Sequence, residues 1–598
     1  MNAAYEASRE CMTEEESLVF LHMIESMRNQ GVGLPPSDRV YLELQREEAL
    51  ISFELSDNTV LKHLPVTSIY GRRLPHNSAV YSYILRTSPD ENVRRIVWEA
   101  QSQCNPDVLD KLLRLRHIRN SIACTRGFRN YAECAQRECI MNTPESVDAF
   151  LNKCASSLES DVLAELRELR DLKRSMGSND VSLNPWDLDY LIGSERGKLS
   201  VEFSVRSVLD YFEKLLDQLF GIKLVRDTAE PLWHPLVAKF ILVRRSGPHV
   251  NGGSFVESSS PDPCNYVGAT DCDSSGDVEI AHLYMDLFSR EGKTNVCAQF
   301  TVRCSKLLEP IYNGAFSSAP CVPGSVSPAH VSIRSPDGSL RQIPATTIVC
   351  SFPIEGTRTD ILEALNESYI DVMAAQTLFH ELGHTVHALC SRTNLQHLSG
   401  NRGGVDFAEF SSHLFELYFV EGLSDICKSA GLDTASAERA STLLRKYRAI
   451  DTARMALMAK LDLAFYNSCE ELHSRNVPDL INSVRLFGDK FDCSDISVLL
   501  GLPALTNFDH LLHYGGTYFC YLYSRYVPLS VINLFVTLNF RVLAIKIWRS
   551  FEGKPRSSCT GEKLYGFFMK GSTDASLAPL NLLAGRDLAL MKDDLFLD

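Results

Sequence analysis

An apolar run at helical spacing that ends in two histidines four residues apart restricts this chain more than any other feature. The run extends from Ile361 to Phe379, and His380-Glu381-Leu382-Gly383-His384 follows it directly. On a helix, residues four apart share one face, so the two imidazoles can converge on one zinc ion while Glu381 stays beside it as a base. The pattern is typical of zinc peptidases. The alternative is a helix with a solvated His-Glu edge.

A catalytic zinc site also needs a third protein ligand and an open position for water. Glu409 lies 25 residues after His384, in the segment 406–417, which predicts a second amphipathic helix. Asp406 followed three residues later by Glu409 also resembles a capping box at a helix start. From the residues alone, cap and ligand are equal alternatives for Glu409.

Two further side chains are weaker ligand candidates. Glu416 lies two turns beyond Glu409, and we expect it to be a carboxylate behind the ligands or at the surface. His387 shares the metal-facing side of its helix with His384, but we expect its ring to lie past the ion.

Three stretches resemble the metal region of the thimet oligopeptidase (M3) family of metallopeptidases in order and spacing. They are FHELGHTVH (379–387), QHLSGNR (396–402) and DFAE (406–409). The resemblance implies one Zn²⁺ per chain, bound by His380, His384 and Glu409, with Glu381 as the catalytic base. The chain departs from the family pattern at 403–405, Ser411 and His413, and none of these changes removes a proposed ligand or the base.

A second block of similarity is FDHLLHYGGTYFCYLYSR (508–525), and weaker similarity extends over nearly the whole chain. Taken alone, the block is a glycine-hinged aromatic stretch of a kind that more often packs a core. In the family, the matching histidine and tyrosines bind the peptide and stabilise the tetrahedral oxyanion. The resemblance therefore implies catalytic roles for Tyr521, the main hydrogen-bond donor, and His510, and substrate-binding roles for Tyr514 and Tyr518.

The same resemblance implies a mainly α, two-lobed helical metallopeptidase with a deep central channel and a small β-sheet lining it. The apolar spacing predicts helices from Glu14 to Met176 and again from Asp360, and the β-branched stretch Ile280–Cys304 predicts a hairpin or small sheet. We divide the chain into regions 1–185, 186–350 and 351–598. Segments rich in Gly, Pro and Ser at 246–278 and 312–339 predict exposed loops.

Composition excludes several classes of partner. The formal net charge of −15 opposes a general affinity for nucleic acid or anionic membranes, and 45% hydrophobic residues allow a large core. Among the 18 cysteines, none forms a Cys-x-x-Cys pair, so we expect mostly reduced, buried thiols. We expect a monomer that binds peptide or precursor-protein substrates, without nucleic acid and without stable membrane insertion.

Within the M3 family, the metal region and the 508–525 block most resemble members that remove N-terminal octapeptides from imported mitochondrial precursors. This implies the mitochondrial matrix, although the acidic start lacks the arginine-rich pattern of a transit peptide. We hypothesise a missing first exon or a misplaced start. The alternatives are a general oligopeptidase of the same family, which would allow a cytoplasmic location, and a catalytically inactive peptide-binding homologue.

Residues 526–541 interrupt a helix that would otherwise be continuous with the family pattern, between Arg525 and Val542. Arginine codons ending in AGG can encode splice signals, so we hypothesise a retained intron; the alternative is a genuine insertion. We expect a transcript sequence across this region to lack these codons. A cDNA that contains them would refute the intron.

Overall fold

Helices dominate the computed structural model of this chain, as the apolar spacing predicts. The structure describes residues 2–33, 39–56, 68–69, 72–73, 78–102, 106–177, 182–229, 231–245, 278–293, 296–308, 332–334, 339–354, 356, 358–402, 404–484, 486–487, 491, 499, 509–524, 547–548, 550–551, 553–573 and 583.

The chain before residue 199 is a helical array with one short antiparallel pair of strands, β1 (Ser68–Ile69) and β2 (Arg72–Arg73). Thr143 caps the longest of these helices, because its hydroxyl accepts the backbone N–H of Ser146. The helices are α1 (Asn2–Ser8), α2 (Glu14–Asn29), α3 (Arg39–Ser56), α4 (Ser78–Thr87), α5 (Glu91–Ser102), α6 (Pro106–Thr125), α7 (Tyr131–Gln136), α8 (Pro144–Ser175) and α9 (Pro185–Lys198).

A five-stranded sheet follows, in the order β4-β5-β6-β11-β7. Two smaller sheets accompany it, one of β8, β9 and β10 and one of β3 and β12. The strands are β3 (Glu202–Ser204), β4 (Ile222–Asp227), β5 (Val237–Arg244), β6 (Val278–Phe288), β7 (Ala298–Arg303), β8 (Lys306–Leu307), β9 (Ser332–Arg334), β10 (Leu340–Gln342), β11 (Ala345–Phe352) and β12 (Tyr369–Asp371).

The predicted hairpin within Ile280–Cys304 is wrong, whereas the small sheet is confirmed. β6 and β7 are not paired with each other, because β11 lies between them, parallel to β6 and antiparallel to β7. Burial explains this order. β6 is buried along most of its length and pairs on both sides, with β5 and β11, whereas β7 is largely exposed and suits an edge.

Helices return after the sheet, so the expected class, mainly α with a small sheet, is confirmed. Helix α10 (Val205–Phe220) lies before the sheet. The later helices are α11 (Ile361–Glu367), α12 (Val372–Cys390), α13 (Val405–Ala408), α14 (Phe410–Ser429), α15 (Thr434–Arg445), α16 (Arg448–Tyr466), α17 (Val477–Ser483), α18 (Asp509–His513), α19 (Phe519–Ser524) and α20 (Ser558–Met569).

Among the residues that the structure describes, the buried apolar side chains form two large clusters and one small cluster. The first joins the five-stranded sheet to α10, α12, α14 and α20. The second joins α6 and α8 of the N-terminal array to α16, α18 and α19. Helices from distant parts of the sequence therefore share one core in each large cluster.

Several predicted features lie outside the described residues. These are residues 526–541, 246–277 and most of 312–339, although Ser332–Arg334 of the second predicted loop form β9. Across the part of the chain that the structure describes, none of the helices combines the length and the apolar character needed to cross a membrane.

Candidate metal centre

Helix α12 presents His380 and His384 on one face. Asp371 begins the helix, because its carboxylate accepts the backbone N–H of Ala374 at 2.7 Å. The two imidazole rings have centroids 5.0 Å apart and stand nearly perpendicular to each other. The spacing of four residues therefore places both imidazoles on one face of the helix, as the sequence predicts.

Glu409 brings the third donor to these histidines. Its Oε2 atom lies 3.3 Å from Nε2 of His380 and 3.3 Å from Nε2 of His384. Two imidazole nitrogens and a carboxylate oxygen are a donor set that zinc prefers. The three side chains are also only partly buried, so the face that they share stays accessible.

The segment around Glu409 differs from the single helix predicted over 406–417. The chain forms the short helix α13, breaks at Glu409, and continues as α14 from Phe410. Glu409 makes no side-chain cap bond to α14, so its carboxylate is available to the histidines. The hydroxyl of Ser412 donates a hydrogen bond to Oε2 of Glu409 at 2.9 Å and steadies it.

Gly383, inside the histidine motif, allows α14 to approach α12 this closely. A Cβ atom on Gly383 would lie 2.6 Å from the carbonyl oxygen of Ser411 and 2.6 Å from Cα of Ser412. Both contacts are with backbone, which cannot rotate away as a side chain can. The missing side chain therefore sets the distance between the histidines and Glu409.

Glu416 lies behind the site and contacts two histidines. Its Oε1 atom is 2.7 Å from Nδ1 of His380 and 2.9 Å from Nδ1 of His413. Of the two positions expected for this carboxylate, the structure shows a buried one behind the candidate ligands. A carboxylate that accepts the Nδ1 proton leaves Nε2 of His380 with a lone pair for a metal.

His384 has a polar neighbour on its Nδ1 side as well. The side-chain amide of Asn401 lies 2.9 Å from Nδ1. The atom that faces Nδ1 is the amide nitrogen of Asn401, which also donates to the carbonyl oxygen of Ala408 at 3.4 Å, so the amide is held beside the ring. Asn401 lies in the predicted metal region, but the sequence assigned it no role.

The charges of the cluster favour a cation. Burial opposes protonation of His380, but the Glu409 and Glu416 carboxylates outweigh it and raise its pKa to about 10. Burial would raise the pKa of Glu409, but the two imidazoles outweigh this and hold the pKa well below its usual range. A site that binds a proton this tightly also attracts a divalent cation, so these residues fit the metal that the family resemblance implies.

His413 forms an alternative donor set, which sequence analysis did not propose. Donor atoms of His380, Glu409 and His413 also lie within 4.8 Å of one another. However, His413 is only 2% exposed, whereas the side chains of His380 and His384 are 22% and 12% exposed. A catalytic metal needs an open position, so the more accessible set with His384 is the better candidate. The only sequence signal was a histidine at a usually apolar position.

Glu381 lies beside the ligands, where a base is needed. The backbone N–H of Gln299, at the start of strand β7, donates to its Oε2 atom at 2.8 Å. Burial raises the pKa of Glu381, and the nearby histidines oppose part of that rise. A carboxylate with a raised pKa is a better proton acceptor, and the sheet edge holds it in place.

His387 is excluded from the metal centre by its surroundings. Its ring packs against Phe407, Phe567 and Phe568 in the first apolar cluster. Burial lowers the pKa of His387 to about 3, so the ring is neutral at physiological pH.

The downstream block forms an aromatic group on α18, α19 and the turn between them. The ring centroid of His510 lies 4.7 Å from that of Tyr518 and 5.6 Å from that of Tyr521, and those two tyrosines are 5.1 Å apart. Tyr514 is 5.8 Å from His510 and is 58% exposed. The structure therefore brings together all four residues that the resemblance implies.

This aromatic group adjoins the metal centre. Helix α19, which carries Tyr521, packs against α13 just before Glu409. Burial raises the pKa of Tyr521 above its usual value, and the negative charge of Glu409 adds to the rise. The phenol therefore keeps its proton and can donate a hydrogen bond. Burial also lowers the pKa of His510 to about 4, which keeps that ring neutral.

Comparison with known proteins decides the family. The sequence model of peptidase family M3 matches residues 84–256 and 270–587, which is most of the chain. The chain belongs to peptidase family M3. The match includes every residue of the candidate metal centre.

This M3 family chain is similar to proteins named mitochondrial intermediate peptidase. The Neurospora crassa protein is 28% identical over 76% of this chain and 55% of its own length. The Phaeosphaeria nodorum protein is 25% identical over 93% of this chain and 69% of its own length. The chain thus spans little more than half of the Neurospora crassa relative. A solved structure described as an oligoendopeptidase F aligns with 94% of this chain and 76% of its own length. The sequence identity is 11% and the TM-score is 0.48.

The close approach at Gly383 predicts the effect of a single added methyl group. In Gly383→Ala, α12 and α14 must move apart, and we expect the free energy of unfolding to fall by about 1–3 kcal/mol. We expect a lower melting temperature and a zinc content, measured by mass spectrometry, that falls below one ion per chain. Gly566→Ala is the matched control, because a Cβ there meets nothing within 4 Å. Full zinc content in Gly383→Ala would contradict this account of the helix contact.

Proposed function

We propose that this chain is a zinc metalloendopeptidase whose metal is held by His380, His384 and Glu409. The observation that supports this most is the convergence of the Glu409 carboxylate on both Nε2 atoms, at 3.3 Å each. The M3 family match supports the same activity. Glu416 and Asn401 orient the two imidazoles from behind.

The proposed reaction is hydrolysis of a peptide bond by water, without a covalent intermediate. Zinc, when bound, supplies a Lewis acid that polarises the carbonyl group and acidifies a water molecule. Glu381 takes the proton from the attacking water and passes it to the amine that leaves. The N–H of Gln299 keeps the Glu381 carboxylate oriented during both transfers.

The aromatic group supplies the other half of the proposed site. The phenol of Tyr521 donates a hydrogen bond to the oxyanion of the tetrahedral intermediate, aided by His510. One such donor is typically worth about 3–4 kcal/mol of transition-state stabilisation. Tyr518 and the exposed Tyr514 bind the peptide on either side of the scissile bond.

We further propose that the substrates are imported mitochondrial precursors, from which the enzyme removes an N-terminal octapeptide in the matrix. Support comes from the relatives named mitochondrial intermediate peptidase. A general oligopeptidase would share the metal centre and the chemistry, and would differ only in which peptides it accepts.

Two substitutions separate metal binding from proton transfer. Glu381→Gln should keep one zinc ion per chain while kcat falls by about 100- to 10,000-fold, because the amide cannot accept the proton. His384→Ala should lose both the zinc and the activity. Zinc is measured by mass spectrometry, and activity with a quenched fluorescent peptide. Full activity of Glu381→Gln would refute the proposal.

The substrate class is tested by offering the wild-type enzyme two peptides of equal length. One carries the octapeptide and the first residues of a mature precursor, and the other has the same composition in scrambled order. We expect a single cut after the eighth residue of the first peptide and a much lower kcat/KM for the second. Equal cleavage of both peptides would favour the general oligopeptidase.

A further inference from the structure

A buried carboxylate binds the backbone of the turn between α18 and α19. Asp462, on α16, accepts the backbone N–H of Gly516 at Oδ1, at 2.8 Å, and the backbone N–H of Tyr518 at Oδ2, at 3.0 Å. The two oxygens of one side chain thus bind the residues on either side of Thr517. Sequence analysis did not single out Asp462, because an aspartate in a helix carries no motif.

A second buried side chain binds a carbonyl group of the same turn. Gln136, at the end of α7, donates from Nε2 to the carbonyl oxygen of Gly516 at 2.7 Å. Gly516 has a φ of +82°, a backbone conformation that favours glycine. Both polar groups of this glycine are therefore bonded to side chains of neighbouring helices.

Stability does not explain why a carboxylate occupies this position. Asp462 is only 1% exposed, and burial raises its pKa to about 7 even though the two N–H groups oppose the rise. Because the folded pKa lies above the unfolded value of about 4, ionisation of Asp462 lowers the free energy of unfolding as the pH rises from about 4 to about 7, and by a constant amount above that. Ionisable groups kept in a core at such a cost occur often at functional sites.

The turn determines where the tyrosine rings lie. Tyr518 is bonded directly to Asp462 through its N–H, and Tyr521 follows within one turn of helix. The rings of Tyr518 and Tyr521 are in contact, and the helix of Tyr521 packs beside Glu409. A shift of this turn by about 1 Å would move the phenol away from the reacting carbonyl, and a misplacement of that size can cost about 100-fold in rate.

We propose that Asp462 is a positioning residue, which acts through the N–H groups of Gly516 and Tyr518 to place the phenol of Tyr521 opposite the metal centre. The inference rests on the proposed function, because it assigns a role in peptide hydrolysis. Asp462 is not one of the candidate metal ligands, and its Oδ2 atom also lies 4.0 Å from Nε2 of His510, which belongs to the same aromatic group.

The chain offers a matched control, a buried carboxylate that binds the other end of α16. Glu165, on α8, accepts the backbone N–H groups of Ala449 at 3.3 Å and Ile450 at 2.8 Å, in the first turn of α16. Burial raises its pKa to about 7 as well. Glu165 therefore accepts backbone N–H groups as Asp462 does, but the N–H of Ile450 lies about 18 Å from Asp462 along α16, at 1.5 Å per residue.

The test compares Asp462→Asn with Glu165→Gln in the full chain. Asparagine keeps one acceptor oxygen and turns an amide N–H₂ towards the other backbone N–H. We expect kcat to fall about 10- to 100-fold in Asp462→Asn, with KM within about twofold and zinc content unchanged. Glu165→Gln should keep kcat within about twofold, whatever the change in melting temperature.

A double variant shows whether Asp462 acts through Tyr521. Tyr521→Phe alone should lower kcat without changing KM much, since it removes the donor. If Asp462 works by placing that donor, adding Asp462→Asn to Tyr521→Phe should lower kcat by less than about threefold more. A phosphinic peptide that mimics the tetrahedral intermediate should bind Asp462→Asn more weakly by the factor lost in kcat/KM.

Gln136→Met covers the case in which Asp462→Asn does not fold. It removes the hydrogen bond to the Gly516 carbonyl while keeping the shape, and it should lower kcat in the same direction. Unchanged kcat in both Asp462→Asn and Gln136→Met would overturn the inference, as would an equal loss in Glu165→Gln or a full additional loss in the double variant. If the wild type cleaves no peptide with zinc present, the proposed function is wrong and the positioning role is lost with it.

Discussion

The contact between α12 and α14 at Gly383 is the constraint on which the metal centre depends. Two helix backbones meet where a Cβ atom would lie only 2.6 Å from main-chain atoms. Because α12 carries both histidines and α14 begins directly after Glu409, this one distance determines whether the carboxylate reaches the imidazoles. The glycine between the two histidines is therefore as much a part of the site as the histidines themselves.

Electrostatics then shapes the site that this packing creates. Glu416 is fully enclosed, yet the imidazoles of His413 and His380 outweigh the effect of burial and hold its pKa well below the usual range. His413 remains neutral because burial lowers its pKa to about 4. A buried carboxylate with one ring on each side can accept both Nδ1 protons, and this fixes the tautomer of His380. The affinity of the site for a cation therefore depends on Glu416 and His413, which lie behind the candidate ligands, as well as on the candidate ligands themselves.

The sequence predicted the parts of the site that follow from local spacing or from the family resemblance. His380 and His384 share a face because of the helical period, and their ring centroids lie 5.0 Å apart. The position of β11 between β6 and β7 could not be predicted, because strand order depends on burial of both edges rather than on neighbouring residues. Gln299 and Asp462 were missed for a similar reason. They act through backbone N–H groups across long sequence separations, and such contacts leave no pattern in the sequence.

The division of the buried apolar side chains into two large clusters has a consequence for how activity arises. The helices of the candidate ligands belong to the cluster around the sheet, whereas α18 and α19 belong to the cluster around α16. A chain in which only one of these two clusters has formed contains either the candidate metal ligands or the proposed oxyanion donors, but not both. Under the proposed function, a newly synthesised or partly unfolded molecule therefore lacks half of the site, and peptide hydrolysis requires both clusters to be folded.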